Sequence, residues 1–178
     1  MNYKDVLSFW FELTPPEKWW KKDEQFDELI KKKFLETHNK AAQSELSCWR
    51  ECAEGALAEI IVLDQFSRNI YRNKPESFAF DGMALALAQE AIRRQLNQEL
   101  EPNRRAFMYL PFMHSESLFI HETALELFSE AGLEHHLSFE KEHMAIVKKF
   151  GRYPHRNEIL GRRSTKEETN FLKHHKGF

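Results

Sequence analysis

Apolar residues recur at intervals of three and four along most of this chain. Over residues 23 to 43, Phe26, Leu29, Ile30, Phe34 and Leu35 line one side and lysines the other, which predicts an amphipathic surface helix. Ahead of it, Thr14-Pro15-Pro16-Glu17 reads as a helix start: Thr14 caps, a proline tolerates the first turn, and Glu17 completes a capping box. A short helix through Trp19 and Trp20 should come next. Residues 47–71 differ, because Trp49, Cys52, Ala53, Ala56, Leu57, Ile60, Ile61, Val62, Leu63, Phe66 and Ile70 cover most of the circumference. That pattern predicts a central buried helix.

After a turn over residues 73–82, residues 83–96 are again helical, and Pro102 reads as a break. The apolar stretch 106–113 contains Pro111, whose ring clashes with the carbonyl of Phe107, so a kink or break is expected there. A helix over 115–130 should end before Gly132. Another over 138–150 carries Lys148 and Lys149 in its last turn, with Gly151 just past it and Pro154 beyond, a complete stop signal. Thr165 and Glu168 form a second capping box that opens a last helix through Phe171 and Leu172, followed by a short polar tail, 173–178. No stretch alternates like a strand, and Asp81-Gly82 leads into a helical pattern instead of a hairpin. The prediction is all-α: a single domain over 1–178 of about eight to ten helices.

A length of 178 residues and a mass of 21.2 kDa suit one domain with a real core. With 42% hydrophobic and 30% charged residues and only six glycines and six prolines, the chain is neither disordered nor low-complexity. The 26 basic and 28 acidic residues leave a net charge of −2, so no nucleic-acid partner is expected. No apolar run reaches the roughly 18 to 20 residues that span a bilayer. The N-terminal segment has acids and aromatics where a signal peptide needs a basic region and an unbroken apolar one, so no membrane association and a cytoplasmic location are expected. Cys48 and Cys52, one turn apart on the predicted buried helix, read as small core-facing residues, with too few neighbouring ligands for zinc.

Three places carry candidate chemistry. Asp64 and Arg68 fall in the middle of the buried helix's apolar face, where a charge must be paired. One carboxylate leaves some of the five arginine donors free, so further partners must come from elsewhere in the fold. The run from Pro111 through His114 to Glu116 follows a predicted kink, and His114, Leu118, His121, Leu125 and Phe128 share one face of the expected helix. Two histidines seven apart rise about 10 Å along a straight helix, too far to hold one metal ion, and no metal or cofactor is expected. The third place is residues 148–166, with four arginines, three lysines and His155 against the single acid Glu158. Its Gly- and Pro-punctuated arginines could converge on an anion, or pin the C-terminal segment to Asp64, Glu116 and carbonyls. His135, His136, His174 and His175 read as surface residues and His143 as core. No phosphate loop, nucleophile elbow, HExxH pair or kinase signature is present in the sequence.

The segments 63–71, 109–116 and 150–157, with Leu160-Gly161-Arg162 and Ser164-Thr165, resemble the bacterial family named domain of unknown function 924. The likeness runs over nearly the whole chain, with Ser67 where the family often has proline and Tyr153 where it often has phenylalanine. It implies a tetratricopeptide-like all-helical fold, a bundle or superhelix, and no particular reaction. Four readings stand at this point. Asp64, Arg68, His114, Glu116, Arg152, His155, Arg156 and Arg162 line a pocket for a small anionic ligand, a carboxylate or phosphate. Alternatively, the chain is a protein or peptide interaction module with a concave groove. A third reading is a hydrolase or transferase using His114 or His155 as general base beside Glu116. In the fourth, the charged cluster is purely architectural.

Overall fold

In the computed structural model, which describes residues 1–175, the pattern over 23–43 becomes α2 (Glu24–Ala42). Asp23 starts it by accepting the backbone N–H groups of Gln25 and Phe26 at 3.0 and 3.1 Å. Phe26, Ile30 and Phe34 are buried, and the Phe34 ring meets Phe9 and Phe66 at 4.9 and 4.7 Å. Upstream, α1 (Tyr3–Leu7) runs into a π turn, Ser8–Leu13. Thr14 does not cap a helix on its C-terminal side. Its hydroxyl donates to the Phe9 carbonyl at 2.7 Å, closing the preceding element, and only a 3₁₀ turn, Pro16–Lys18, comes after it, without a capping box. The second proline forces Pro15 into an extended conformation and so prevents Thr14 from sitting next to a helix.

The expected helix over 47–71 is broken near its start. Ser47–Glu51 is a 3₁₀ turn and Cys52 is extended (φ −132°, ψ 160°). From there α3 (Ala53–Ile61), a π turn (Val62–Phe66) and α4 (Ser67–Ile70) run end to end. The break folds the backbone of Trp49 onto the first turn of α3, where a Cβ on Gly55 would stand 2.0 Å from the Trp49 carbonyl oxygen. Because Cys48 and Cys52 precede the helix, neither faces the core: Cys48 is exposed, Cys52 half-buried, and both are free thiols.

The second half is a succession of neighbours. α5 (Asp81–Arg93) starts at Asp81, a residue expected in a turn. Pro102 does not break the chain but opens α6 (Pro102–Met113), where its missing N–H has no partner to lose. Pro111 sits in the last turn of α6, so the proline marks where the helix ends at His114. α7 (Leu118–Phe128) begins after a connection that holds residues 115–117, and α8 (Glu134–Phe150) ends on Gly151 in the left-handed region at φ 69°. A 3₁₀ turn, Pro154–Arg156, leads to α9 (Lys166–Leu172), capped reciprocally by Thr165 and Glu168. Residues 176–178 of the expected tail lie outside the described residues.

α3 packs against α1, α5 and α6, α2 covers the π turn and α4, and α5 to α8 pack each on the next. No strand occurs among the described residues, and the all-α expectation holds. The core runs from Val6 to Leu133 around the wholly buried Leu57, Ile60, Ile61, Leu63 and Phe66. No helix among the described residues is long and apolar enough to cross a membrane.

Two sites in this core give testable outcomes. Alanine at Gly55 would gain roughly 1 kcal/mol of helix propensity, but its Cβ collides with backbone. Overpacking costs about 3 kcal/mol, so Gly55→Ala lowers stability in denaturant titrations. The second concerns His38, whose Nε2 meets Ser67 Oγ at 2.7 Å, and His143, whose Nδ1 donates to the Phe139 carbonyl at 2.7 Å. Burial pushes these imidazoles down to about 4 and about 3. Below pH 6.5 the unfolded chain therefore takes up protons that the folded one refuses. Stability is full above that pH and falls by about 1.4 kcal/mol per unit for each ring as pH drops. Urea unfolding at pH 5 should show a protein less stable than at pH 7 by about 4 kcal/mol from these two rings, with His155, which burial also holds down to about 3, adding to the loss, whereas equal stabilities would mean that these rings are charged in the fold.

Candidate functional site

The site begins with the wholly buried Asp64 in the π turn between α3 and α4. Its Oδ1 accepts from His114 Nδ1 at 2.7 Å and lies 3.3 Å from Arg68 Nη1, while Oδ2 accepts from Gln65 Nε2 at 2.5 Å. Burial alone would raise the carboxyl's pKa, but the Arg68 charge, His114 and Gln65 together hold it well below the carboxylate range. Arg68 also donates to Asp81 at 3.0 and 3.2 Å. Asp81, in turn, accepts from Arg156 at 3.0 Å and stands in the first turn of α5, where the helix dipole favours a negative charge. Arg156 completes the chain by donating Nη2 to the His114 carbonyl at 2.9 Å, its guanidinium between the Phe78 and Tyr153 rings at 4.6 and 4.8 Å.

Glu116 heads a second knot. Its carboxylate accepts a two-pronged Arg162 contact at 2.6 and 2.8 Å and the Tyr153 backbone N–H at 2.7 Å. These donors outweigh burial and keep it below its ordinary range. Arg162 Nε also donates to Asn157 at 3.0 Å. Beneath the 114–117 connection, His121 Nδ1 meets Glu140 Oε1 at 2.6 Å and its Nε2 meets the Ser115 carbonyl at 2.9 Å, while Tyr153 OH donates to the Met113 carbonyl at 2.5 Å. His114 and His121 do not share a helix face, because α6 ends at His114 and α7 starts only at Leu118.

These elements line a solvent-open cavity of about 520 Å³. Phe78, Leu85, Pro111 and Leu160 give it apolar walls, and Glu76, Asp81, His114, Ser115, Glu116 and Arg156 its polar ones. Thus His114, Glu116 and Arg156 of the expected set reach the cavity surface, with Asp64, Arg68 and Arg162 bonded to the lining residues from behind. Arg152 is spent elsewhere, on Glu168 at 2.7 and 2.9 Å. His155 is not in the lining either; half-buried beside Tyr153, it is pushed by burial down to about 3. The sequence reading missed Asp81 and Phe78. The signal available was the surplus of Arg68 donors, which required a second carboxylate, and Asp81 lay at the mouth of the next helical pattern.

Asp81 holds two arginines whose side chains are only 21% and 8% exposed. Asp81→Ala leaves both beside an empty position and should cost about 3 kcal/mol. Glu76→Ala, on the exposed side of the same cavity, should change stability by less than about 0.5 kcal/mol. Chemical denaturation of the two variants checks the contrast.

The family model described as bacterial protein of unknown function, DUF924, matches residues 6–176. A solved structure, that of the protein of unknown function ATU0120 from Agrobacterium tumefaciens, is 40% identical over 97% of each chain with a TM-score of 0.92. No curated protein matches the chain.

Proposed function

Because the chain belongs to the DUF924 family of bacterial proteins of unknown function, no activity passes to it by membership, and we propose a function from the cavity: it binds a small organic molecule. The observation that carries this reading is the cavity itself, about 520 Å³ with one apolar side and convergent polar groups. That size and lining are what small ligands use. The apolar body of the ligand lies against Phe78, Leu85 and Leu160, and its polar end meets His114.

The charge of the lining bears on which ligand. A carboxylate or phosphate needs uncommitted cations, yet Arg68 and Arg156 are bonded to Asp64 and Asp81, and Arg162 to Glu116. The lining itself holds three carboxylates, Glu76, Asp81 and Glu116, against one guanidinium. An anion would have to unseat an existing pair. The same pairs occupy Asp81 and Glu116, so a ligand that presents hydrogen-bond donors, an ammonium or several hydroxyls, would meet the exposed Glu76 and the lone pairs that those two carboxylates retain, and this is the class the geometry favours. An interaction module has less support: Trp10 and Trp49 are buried and Trp19 is partly so, leaving Trp20 as the exposed one of the four, and a cavity of this size admits a small molecule better than a helix.

Gly82 provides the test. It lines the cavity in the first turn of α5, and a Cβ added there meets nothing within 4 Å. Gly82→Ala should therefore stabilise the protein by about 0.5 to 1 kcal/mol, and Gly82→Leu should narrow the cavity without touching an ion pair. In thermal-shift screens of amines, polyols and small anions, the first two sets should raise the melting temperature of the parent but not of Gly82→Leu. Ligand at a hundred times Kd corresponds to about 2.7 kcal/mol. Shifts by anions alone would restore the anion reading, and no shift in any set would overturn binding.

A further inference from the structure

We infer that His114 is a general base, taking a proton at Nε2 from a hydroxyl or water held in the cavity, with Asp64 as its positioning residue. This inference rests on the cavity being the ligand site. The tautomer is set by the buried geometry: Asp64 is an ionised acceptor 2.7 Å from Nδ1, so the ring proton sits on Nδ1 and the lone pair on Nε2. Nδ1 is thus committed, whereas Nε2 bonds to no other described residue, and His114 belongs to the cavity lining. The backbone is pinned as well, since the His114 N–H donates to Leu110 at 3.0 Å and its carbonyl accepts from Arg156 at 2.9 Å. A positioned imidazole, an anchored carboxylate and an open second nitrogen are the parts of a base–orienter pair.

The molecule carries its own comparison. His121 and Glu140 form the same kind of pair at 2.6 Å, but both are wholly buried and His121 Nε2 is bonded to the Ser115 carbonyl. That pair holds the 114–117 connection in place and offers nothing to a ligand. His38 is likewise wholly buried, with Nε2 on Ser67. Among these three, His114 alone lines the cavity.

In the step itself, the hydroxyl O–H breaks, its proton passes to Nε2 and the electron pair stays on oxygen. The neutral ring becomes an imidazolium beside the Asp64 carboxylate. The charged groups around the ring are Asp64 and Arg68 from the central rod, Asp81 from α5, Glu116, Arg156 and the titratable His143. Burial and the Arg68 charge keep the resting ring neutral, with its pKa below the ordinary value. The base is therefore in its accepting form at neutral pH.

Two measurements on the parent protein test this without a known substrate. Nitrogen-15 shifts of the histidine rings should show His114 as the Nδ1–H tautomer. Diethyl pyrocarbonate followed by peptide mass mapping should acylate His114 on the order of tenfold faster than His121, with a rate that persists below pH 6.5. In Asp64→Asn, the tautomer should reverse and the labelling slow on the order of tenfold, while Glu36→Gln, on the exposed face of α2, leaves the His114 rate unchanged. If Asp64→Asn does not fold, the parent tautomer and labelling remain decisive. An Nε2–H ring, or labelling no faster than that of His121, overturns the inference even where the Gly82 screen finds ligands. A reactive Nδ1–H ring in a protein that binds nothing overturns the cavity reading and leaves the base in place.

Discussion

A carboxylate taken wholly out of water dictates much of this structure. Leaving Asp64 charged in the core would cost several kcal/mol without compensation, and its surroundings supply that compensation from distant parts of the chain. Arg68 and Gln65 come from its own rod, His114 from the end of α6. Arg68 in turn brings Asp81 from α5, and Asp81 brings Arg156 from the turn after α8. Each added charge creates the need for the next. The chain of pairs stops where Arg156 is closed off by the His114 carbonyl and two aromatic faces. The ion pairs therefore specify which segments meet more than they add stability, because a buried pair gains little over apolar packing and loses much when halved.

Local irregularities place those groups. Asp64 lies in a π turn, a feature that tends to occur at functional sites, inside a rod that is otherwise α-helical. Pro111 sits close to where α6 stops, leaving His114 as the cap residue from which its ring reaches Asp64 and its carbonyl reaches Arg156. Both devices stand on elements packed into the main core, so the site is held by rigid parts of the fold.

How legible this was from sequence depends on how local the cause is. Helix ends governed by one or two neighbouring residues were read correctly: Gly151 at the end of α8, and the Thr165 and Glu168 box. Thr14 misled because its hydroxyl had a nearer carbonyl, Phe9, and the break at Cys52 was invisible because it depends on how Trp49 folds over Gly55. The helix of residues 115–130 was drawn too long, since periodicity counts His114 and Leu118 as neighbours whether or not the backbone between them is helical. At the site, wheel geometry found Asp64 and Arg68 and the need for outside partners, but it could not say which carboxylate would answer. Spacing likewise grouped Arg152 with Arg156 and Arg162, and the three diverge because Glu168 is nearer to the first.

The architectural and the functional readings of this cluster share residues, and the two histidine–carboxylate pairs show where they part. In His121 and Glu140 every ring nitrogen has a protein partner and no surface is left. In His114 and Asp64 the buried half of the pair is satisfied in the same way, yet the other half is turned to a cavity whose remaining polar groups are mostly acceptors. The cleft beside the ring opens to solvent and is not closed over by side chains. The chain places Gly82 at the cavity's edge, in a helical turn where a side chain would fit without strain. The ionic scaffold accounts for how the wall is held; the open nitrogen and the unfilled volume beside it are what that scaffold leaves for a ligand.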